Sequence, residues 1–193
     1  MREPNWKTYI FAPTAPLLTP QQCDEFIKIG QNEPKIKGTT HGKEIKQEYR
    51  KSIISWIPFP KAPPLYQIIN EWIVRINTNY FGFDNIQLTE QGQYAEYSEG
   101  GFYNWHMDSS IKMAPMPLVR KISMTLLLSD PKDYEGGDLQ IFGGNLFDSE
   151  KSKIRIERGH AVFFASFLLH RVTPVTKGNR KSLVMWFGGT PLR

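Results

Sequence analysis

The feature that most constrains the fold is the pattern of residue types after Asn85. Short runs rich in β-branched and aromatic residues alternate there with Gly, Pro and Asp. Short strands at regular spacing, with turn residues between them, are typical of β-sandwiches and barrels. The pattern predicts strands near residues 86–97, 102–108, 120–128, 138–142, 153–157, 161–165, 169–174 and 181–187. We therefore expect a mainly β fold with flanking helices, built as a double-sheet jelly roll.

A first helix is predicted ahead of this tract. Thr19, Pro20 and Gln22 form the pattern of a capping box with proline at the first helical position. Gly30 supplies a stop signal at the other end. The sequence therefore predicts a helix over residues 20–29, followed by a polar segment over residues 31–51 that is loop with short strand at most.

A second helix is predicted between Pro63 and Gly82. Apolar residues recur there at helical spacing, namely Leu65, Ile68, Ile69, Trp72, Ile73, Ile76 and Tyr80. The β-rich run over residues 52–57 precedes it. At 193 residues the chain suits one buried core. We expect one domain over residues 1–193, with residues 1–84 as a helical and β preface packed on one sheet, and residues 85–190 as the jelly-roll core.

The composition is that of a globular protein, with 40% hydrophobic and 22% charged residues. No apolar run approaches the roughly 20 residues that span a bilayer, and the first residues lack the apolar core of a secretory signal. We expect a cytoplasmic protein without a membrane partner. A single cysteine, Cys23, excludes an internal disulfide bond.

The net charge of +5 permits an acidic partner without requiring one. Part of the excess lies in residues 35–51, which we call the basic stretch. We interpret it as a solvated loop, with a mobile lid over a substrate groove as the alternative, since loops on a rigid scaffold often bind ligands. Nucleic-acid binding is disfavoured because the cations are not interleaved with aromatic residues.

His106 and Asp108 form a His-x-Asp pair in a predicted strand. Side chains two residues apart on a strand project to the same side, so this pair offers two metal ligands from one rigid element. His170, in another predicted strand, is the third candidate. Two histidines and one carboxylate leave open coordination positions, the arrangement of non-haem Fe(II) oxygenases. Without a third ligand, a hydrogen-bonded pair at the surface would be the simpler interpretation of His106 and Asp108.

Arg180 and Ser182 follow His170 by ten and twelve residues. They also share one face of a predicted strand. A guanidinium inside a β-barrel requires a buried anion, because an unpaired interior charge is severely unfavourable. A dicarboxylate that binds iron through one end and Arg180 through the other satisfies this requirement, since arginine holds carboxylates through two hydrogen bonds.

Several segments together resemble the prolyl 4-hydroxylase-type Fe(II)/2-oxoglutarate dioxygenases, and most of all the bacterial and bacteriophage PKHD-type hydroxylases. The matching segments are residues 97–108 (YSEGGFYNWHMD), 136–139 (GGDL), 170–175 (HRVTPV) and 178–180 (GNR). The resemblance implies a double-stranded β-helix and a bacterial or phage-infected host cell. It implies Fe(II), 2-oxoglutarate and O2, with ascorbate as a candidate reductant, and the release of succinate and CO2.

Carried over position by position, the resemblance makes His106, Asp108 and His170 the catalytic iron ligands. Tyr97, Arg180 and Ser182 would bind 2-oxoglutarate. Leu127 departs from the pattern, because several animal relatives have a cosubstrate-contacting tyrosine there, and it implies fewer polar contacts to 2-oxoglutarate.

On the substrate side, the resemblance assigns Tyr103, Arg120 and Trp186, in a family whose members hold a peptidyl proline. The implied partner is a protein or peptide containing proline. Three simpler interpretations remain: wall packing for Tyr103, a surface cation for Arg120 and a core aromatic for Trp186. For the whole protein, the alternatives are the same chemistry on a nucleic-acid base or small molecule, and a non-catalytic metal-binding jelly-roll module.

Overall fold

Two antiparallel sheets form the body of the protein. The computed structural model describes residues 7–38, 48–109, 118–142 and 153–190. Within them, one sheet has the strand order β1-β12-β8-β14-β6-β4-β2, with β5 and β9 also paired to β14, and the other has the order β11-β10-β13-β7-β3. The strands are β1 (Ile10–Phe11), β2 (Ile36–Lys37), β3 (Arg50–Lys51), β4 (Ile53–Ile57), β5 (Gln87–Leu88), β6 (Gly92–Ser98), β7 (Phe102–His106), β8 (Val119–Leu127), β9 (Tyr134–Gly136), β10 (Leu139–Ile141), β11 (Lys153–Ile154), β12 (Ala161–Ala165), β13 (His170–Val172) and β14 (Val175–Gly189).

The two helices cover the outer face of the larger sheet. Helix α1 runs from Pro20 to Asn32, and helix α2 runs from Pro63 to Ile76 and continues as a π-helical turn to Phe81. Their apolar side chains share one core with alternate residues of β8, β12 and β14. Gly82 ends the second helical segment in the left-handed conformation, at φ 69°, as expected for a glycine at a helix C-terminus. The predicted jelly roll with helices on one sheet is confirmed.

Strand β14 separates this helical core from the space between the sheets. Leu183 and Phe187 project into the core beneath the helices. Arg180, Ser182 and Trp186 project the opposite way because neighbouring side chains alternate along a strand. Apolar residues of both sheets meet in that second space, which we call the lumen: Ile54 and Ala95 from the larger sheet, Tyr103 and Val172 from the smaller. The strand pattern therefore turns a row of polar side chains inward.

Most predicted strands are present with shifted ends. The strand predicted over residues 86–97 is interrupted and becomes β5 and β6. The strand predicted over residues 181–187 is longer and runs over Val175–Gly189. The extension follows from pairing with β9 and β6 at its start and with β8 at its end, which satisfies backbone groups beyond the apolar run. The N-terminal segment, predicted as a helical and β preface over residues 1–84, contributes strands to both sheets, because β4 pairs with β6 and β3 pairs with β7.

The predicted helix stop at Gly30 is wrong. The helix continues to Asn32, and Gly30 is buried against the sheet. A Cβ atom at this position would lie 2.4 Å from Cγ of Tyr94, and Ser55 donates a hydrogen bond to the Gly30 carbonyl at 2.5 Å. Glycine is therefore required here by the close approach of helix and sheet. The predicted capping box is confirmed, with Thr19 accepting from the Gln22 amide.

None of the helices in the described ranges is long and apolar enough to cross a membrane.

The substitution Gly30→Ala should lower the free energy of unfolding by about 1 kcal/mol, and by no more than about 2 kcal/mol, measured by urea denaturation. Alanine gains about 1 kcal/mol of helix propensity, but overpacking against the Tyr94 ring costs about 1–3 kcal/mol and shifts the backbone. Lys28→Ala, on the exposed side of the same helix, is the control and should change stability by less than about 0.5 kcal/mol. A stabilised Gly30→Ala protein would contradict the packing argument.

Candidate metal and cosubstrate site

Three predicted metal ligands converge at one end of the lumen. His106 ends β7, Asp108 follows it, and His170 begins β13. Because β7 and β13 are antiparallel neighbours, His106 and His170 are direct cross-strand partners. One ligand atom from each of the three residues lies within 4.8 Å of the others. Nε2 of His106 is 3.8 Å, and Nε2 of His170 is 3.4 Å, from an Asp108 carboxylate oxygen.

The backbone selects which imidazole nitrogen is free. Nδ1 of His106 lies 2.7 Å from the Asn104 carbonyl oxygen, and Nδ1 of His170 lies 3.0 Å from the Leu168 carbonyl oxygen. A carbonyl oxygen can only accept, so each Nδ1 must carry the proton. Nε2 of each ring is the nitrogen directed at the Asp108 carboxylate, and in a neutral ring it is the one that can bind a metal. Such an anchored histidine is the usual form of a metal ligand.

The electrostatics of the site also suit a divalent cation. Burial, together with the charge His170 would carry, lowers the pKa of His106 to about 3. Burial alone would raise the pKa of Asp108, but the two histidines and Ser123 outweigh it and hold that pKa well below its usual range. Near neutral pH the site therefore offers a neutral His106 and an ionised carboxylate, which are the protonation states that bind metals.

Two serines that were not singled out in the sequence support Asp108. The Ser123 hydroxyl donates to Oδ2 of Asp108 at 2.7 Å and lies 2.9 Å from the Ser166 hydroxyl. All three residues are buried. This bond fixes the orientation of the carboxylate, whose two oxygens keep lone pairs for a metal. A two-residue alternation within β8 could have indicated that Ser123 faces the lumen, but only the fold aligns it with Asp108.

Further into the lumen, Arg180 is buried with 2% of its surface exposed. Its Nη1 donates to the Ser182 hydroxyl at 3.0 Å, and its guanidinium carbon lies 5.7 Å from the Tyr97 ring centroid. Tyr97 is its cross-strand partner on β6. Among the residues that the structure describes, no carboxylate forms an ion pair with Arg180. A buried guanidinium without an ion-pair partner among the described residues suits a dicarboxylate ligand.

Tyr103 lies directly on the metal site. Its ring stacks on the His106 imidazole, with centroids 3.5 Å apart and planes at 16°. The guanidinium of Arg50 also lies over this ring, 4.4 Å from its centroid. Arg50 is only 6% exposed and donates to Gln93 at 3.0 Å. The interpretation of the basic stretch as solvated is therefore wrong for Arg50, because the antiparallel pairing of β3 with β7 brings it over Tyr103.

Residues 39–47 of the basic stretch, including the segment on which a lid would depend, lie outside the described residues.

Arg120 and Trp186 lie together next to Ser123, the residue that bonds Asp108. Trp186 is the cross-strand partner of Ser123 and is 5% exposed. The Arg120 guanidinium lies 3.9 Å from the Trp186 ring centroid, and its Nε donates to Glu90 at 2.6 Å. Arg120 is therefore a partly exposed cation held by an aromatic ring and a carboxylate, and its role toward a substrate stays a prediction. Within the described parts of the chain, Nε1 of Trp186 is buried without a hydrogen-bond partner.

A β fold that can hold a divalent metal through two histidines and one carboxylate falls within the class of mononuclear non-haem Fe(II) oxygenases. The buried Arg180 further suits the members of this class that bind a dicarboxylate. The chain belongs to the 2OG-Fe(II) oxygenase superfamily, whose family model matches residues 92–188. The cofactors of this class are Fe(II), 2-oxoglutarate and O2, and the donor set at His106, Asp108 and His170 fits the metal.

Individual relatives agree with this assignment. A PKHD-type hydroxylase of Teredinibacter turnerae is 41% identical over 95 residues, which cover 47% of this chain and 39% of the relative. The chain thus spans about two fifths of the length of the curated relatives it matches. A viral collagen prolyl hydroxylase from Paramecium bursaria Chlorella virus-1, in its 2-oxoglutarate complex, has a TM-score of 0.72 at 21% identity, covering 95% of this chain and 97% of that one.

A third relative is a prolyl hydroxylase from Trichoplax adhaerens, solved with a peptide fragment of the oxygen degradation domain of hypoxia inducible factor. It has a TM-score of 0.70 at 18% identity, covering 93% of this chain and 83% of that one. At these identities both structural relatives establish the fold. The family and the fold expected from the sequence are therefore confirmed, while the role of each site residue stays a prediction.

The substitution Ser123→Ala should weaken Mn(II) binding about 10- to 100-fold, measured by isothermal titration calorimetry, because residues that orient a metal ligand contribute about that much. Ser55→Ala is a matched control, since Ser55 is equally buried but bonds Gly30 beneath helix α1. It should leave Mn(II) affinity unchanged. Equal affinities for wild type and Ser123→Ala would exclude the supporting role of Ser123.

Proposed function

We propose that this protein is an Fe(II)- and 2-oxoglutarate-dependent dioxygenase that hydroxylates a prolyl residue in a protein or peptide, with release of succinate and CO2. The observation that carries the proposal is the presence, in one lumen, of the His106–Asp108–His170 cluster and the buried cation of Arg180. The first fits Fe(II) and the second fits the far carboxylate of 2-oxoglutarate.

Each part of the site has a definite task in this reaction. His106, Asp108 and His170 would hold Fe(II), which with 2-oxoglutarate and O2 supplies the means to insert one oxygen atom into a C–H bond. Arg180 and Ser182 bind and orient the dicarboxylate, with Tyr97 beside them. The buried walls exclude water, which strengthens these charge interactions.

The aromatic surroundings support a prolyl substrate. Tyr103 stacks on His106, Trp186 lies opposite Ser123 on the neighbouring strand, and both are buried. Aromatic walls suit an apolar ring such as that of proline, while the unpartnered Nε1 of Trp186 could donate to a peptide carbonyl. The named relatives include a collagen prolyl hydroxylase and a prolyl hydroxylase bound to a peptide.

The experiment is mass spectrometry of a proline-containing peptide library incubated with protein, Fe(II), 2-oxoglutarate and O2. The expected result is a gain of one oxygen on proline in a subset of peptides, with succinate formed in equal amount. Hydroxylation of another residue would correct the substrate. Absence of succinate in every incubation, including one without peptide, would rule out the dioxygenase and leave the non-catalytic metal-binding module.

The same chemistry on a nucleic-acid base has one supporting observation, the net charge of +5. An enzyme that modifies a base must take it out of the stack and read its edges. Parallel incubations with single-stranded DNA and RNA separate the two substrates, and binding to nucleic acid should fall steeply with salt. Oxidised nucleotide with unmodified peptides would replace the prolyl substrate.

The substitution Asp108→Ala should abolish Fe(II)-dependent succinate formation, because it removes the only carboxylate of the described metal cluster. Mn(II) titration should show the matching loss of metal affinity. Asp24→Ala, at an exposed carboxylate on helix α1, is the control and should retain full turnover. Normal turnover by Asp108→Ala would mean that the metal is held elsewhere.

The substitution Arg180→Ala should raise the KM for 2-oxoglutarate about tenfold or more, since a charge-assisted hydrogen bond contributes about 1.5–3 kcal/mol. The measurement is succinate formation against 2-oxoglutarate concentration. Arg75→Ala removes an exposed arginine of helix α2 and should leave this KM unchanged. An unchanged KM in Arg180→Ala would place the cosubstrate away from this guanidinium.

A further inference from the structure

Tyr134 enters the lumen next to Arg180, although it lies on a short strand outside the main order of the larger sheet. Strand β9 pairs with the start of β14, where Tyr134 lies opposite Gly178. The Tyr134 side chain is half-buried and packs against the cluster that contains Tyr97, Tyr103 and Val175. The phenol is thus directed into the space that holds the predicted cosubstrate site.

Tyr134 and Arg180 line the same cavity, of about 450 Å³. Its wall also includes Leu127 and Leu139, from β8 and β10. Burial raises the pKa of Tyr134, while the adjacent Arg180 guanidinium lowers it. The net shift is upward, so the hydroxyl keeps its proton near neutral pH and is available as a hydrogen-bond donor.

Gly137 makes room for these two side chains. A Cβ atom at this position would lie 2.9 Å from Cδ of Arg180 and 3.5 Å from Cε2 of Tyr134. Gly137 also has a φ of 64°, a conformation that favours glycine. The absence of a side chain at Gly137 therefore lets Arg180 and Tyr134 both pack close to the backbone at this point.

The wall of this cavity also includes charged residues, namely Asp138, Lys153, Arg155 and Glu157, whereas the residue opposite Ser182 on β8 is apolar. Leu127 is the cross-strand partner of Ser182, and it faces the same cavity as Arg180. A carboxylate bound by Arg180 has several acceptor sites, and each one left unpaired in a buried cavity is unfavourable. Apart from Ser182, the phenol of Tyr134 is well placed to supply a further neutral donor.

We propose that the hydroxyl of Tyr134 binds, together with Arg180, the carboxylate of 2-oxoglutarate that is remote from the metal. This inference rests on the proposed function, since it needs a dicarboxylate in the lumen. It assigns cosubstrate recognition to a strand that the sequence does not indicate, and it makes Tyr134 the donor in place of a side chain at position 127.

The test is isothermal titration of Mn(II)-loaded protein with two ligands, 2-oxoglutarate and pyruvate. Both have a 2-oxo acid group for the metal, but pyruvate lacks the remote carboxylate. In Tyr134→Phe, 2-oxoglutarate should bind about tenfold or more weakly, as expected for a hydrogen bond to a charged group. Pyruvate should bind as it does to wild type.

The matched control is Tyr94→Phe, which removes a buried phenol on the helix side of β6 and should change neither affinity. Unchanged 2-oxoglutarate affinity in Tyr134→Phe would overturn the proposal. Equal weakening of both ligands would also overturn it, because the effect would then be on the metal or the fold.

Failure of the proposed function gives a different result. If wild-type protein binds 2-oxoglutarate tightly but forms no succinate, the dioxygenase is excluded while the binding comparison still decides the role of Tyr134. If wild-type protein shows no preference for 2-oxoglutarate over pyruvate, the remote carboxylate has no partner and both proposals fail.

Discussion

The antiparallel pairing of β7 with β13 sets His106 opposite His170, and the rest of the site depends on that register. A slip of one residue would turn either histidine to the other face of the sheet. The register shifts between His170 and Val172, so the irregularity lies next to the metal ligands. Bulges near active sites commonly re-aim side chains in this way. The carbonyls of Asn104 and Leu168 then orient both rings.

Charge balance connects this cluster to the deeper part of the lumen. Fe(II) on one carboxylate leaves an excess positive charge, and Arg180 adds a second cation in a buried space. In the proposed function, a dianion such as 2-oxoglutarate would compensate both charges, with one end at the metal and the other at the guanidinium. Gly137 and Tyr134 line a cavity beside Arg180. No carboxylate in the described part of the chain pairs with Arg180, so this part of the lumen suits an anion supplied by a ligand.

The N-terminal residues take a larger part in the site than their polar sequence indicates. Arg50, in a stretch that reads as a solvated loop, is buried over Tyr103. The reason is a strand of two residues, too short for any periodic pattern, whose position is decided by pairing with β7. Gly30 is a similar case, since it resembles a helix stop but allows α1 to approach Tyr94. Local propensity was overridden in both places by contacts between distant segments.

The sequence by itself determined the β-rich core, the two helices and the order of the chemical groups. His106, Asp108, His170, Arg180 and Ser182 could be found because strand periodicity is local and places residues two apart on one face. Tertiary structure alone decided which residues support them: Ser123 and Ser166 behind Asp108, Arg50 over Tyr103, and Tyr134 beside Arg180. These contacts join segments far apart in the chain, and their geometry follows from sheet register and packing, which no local pattern encodes.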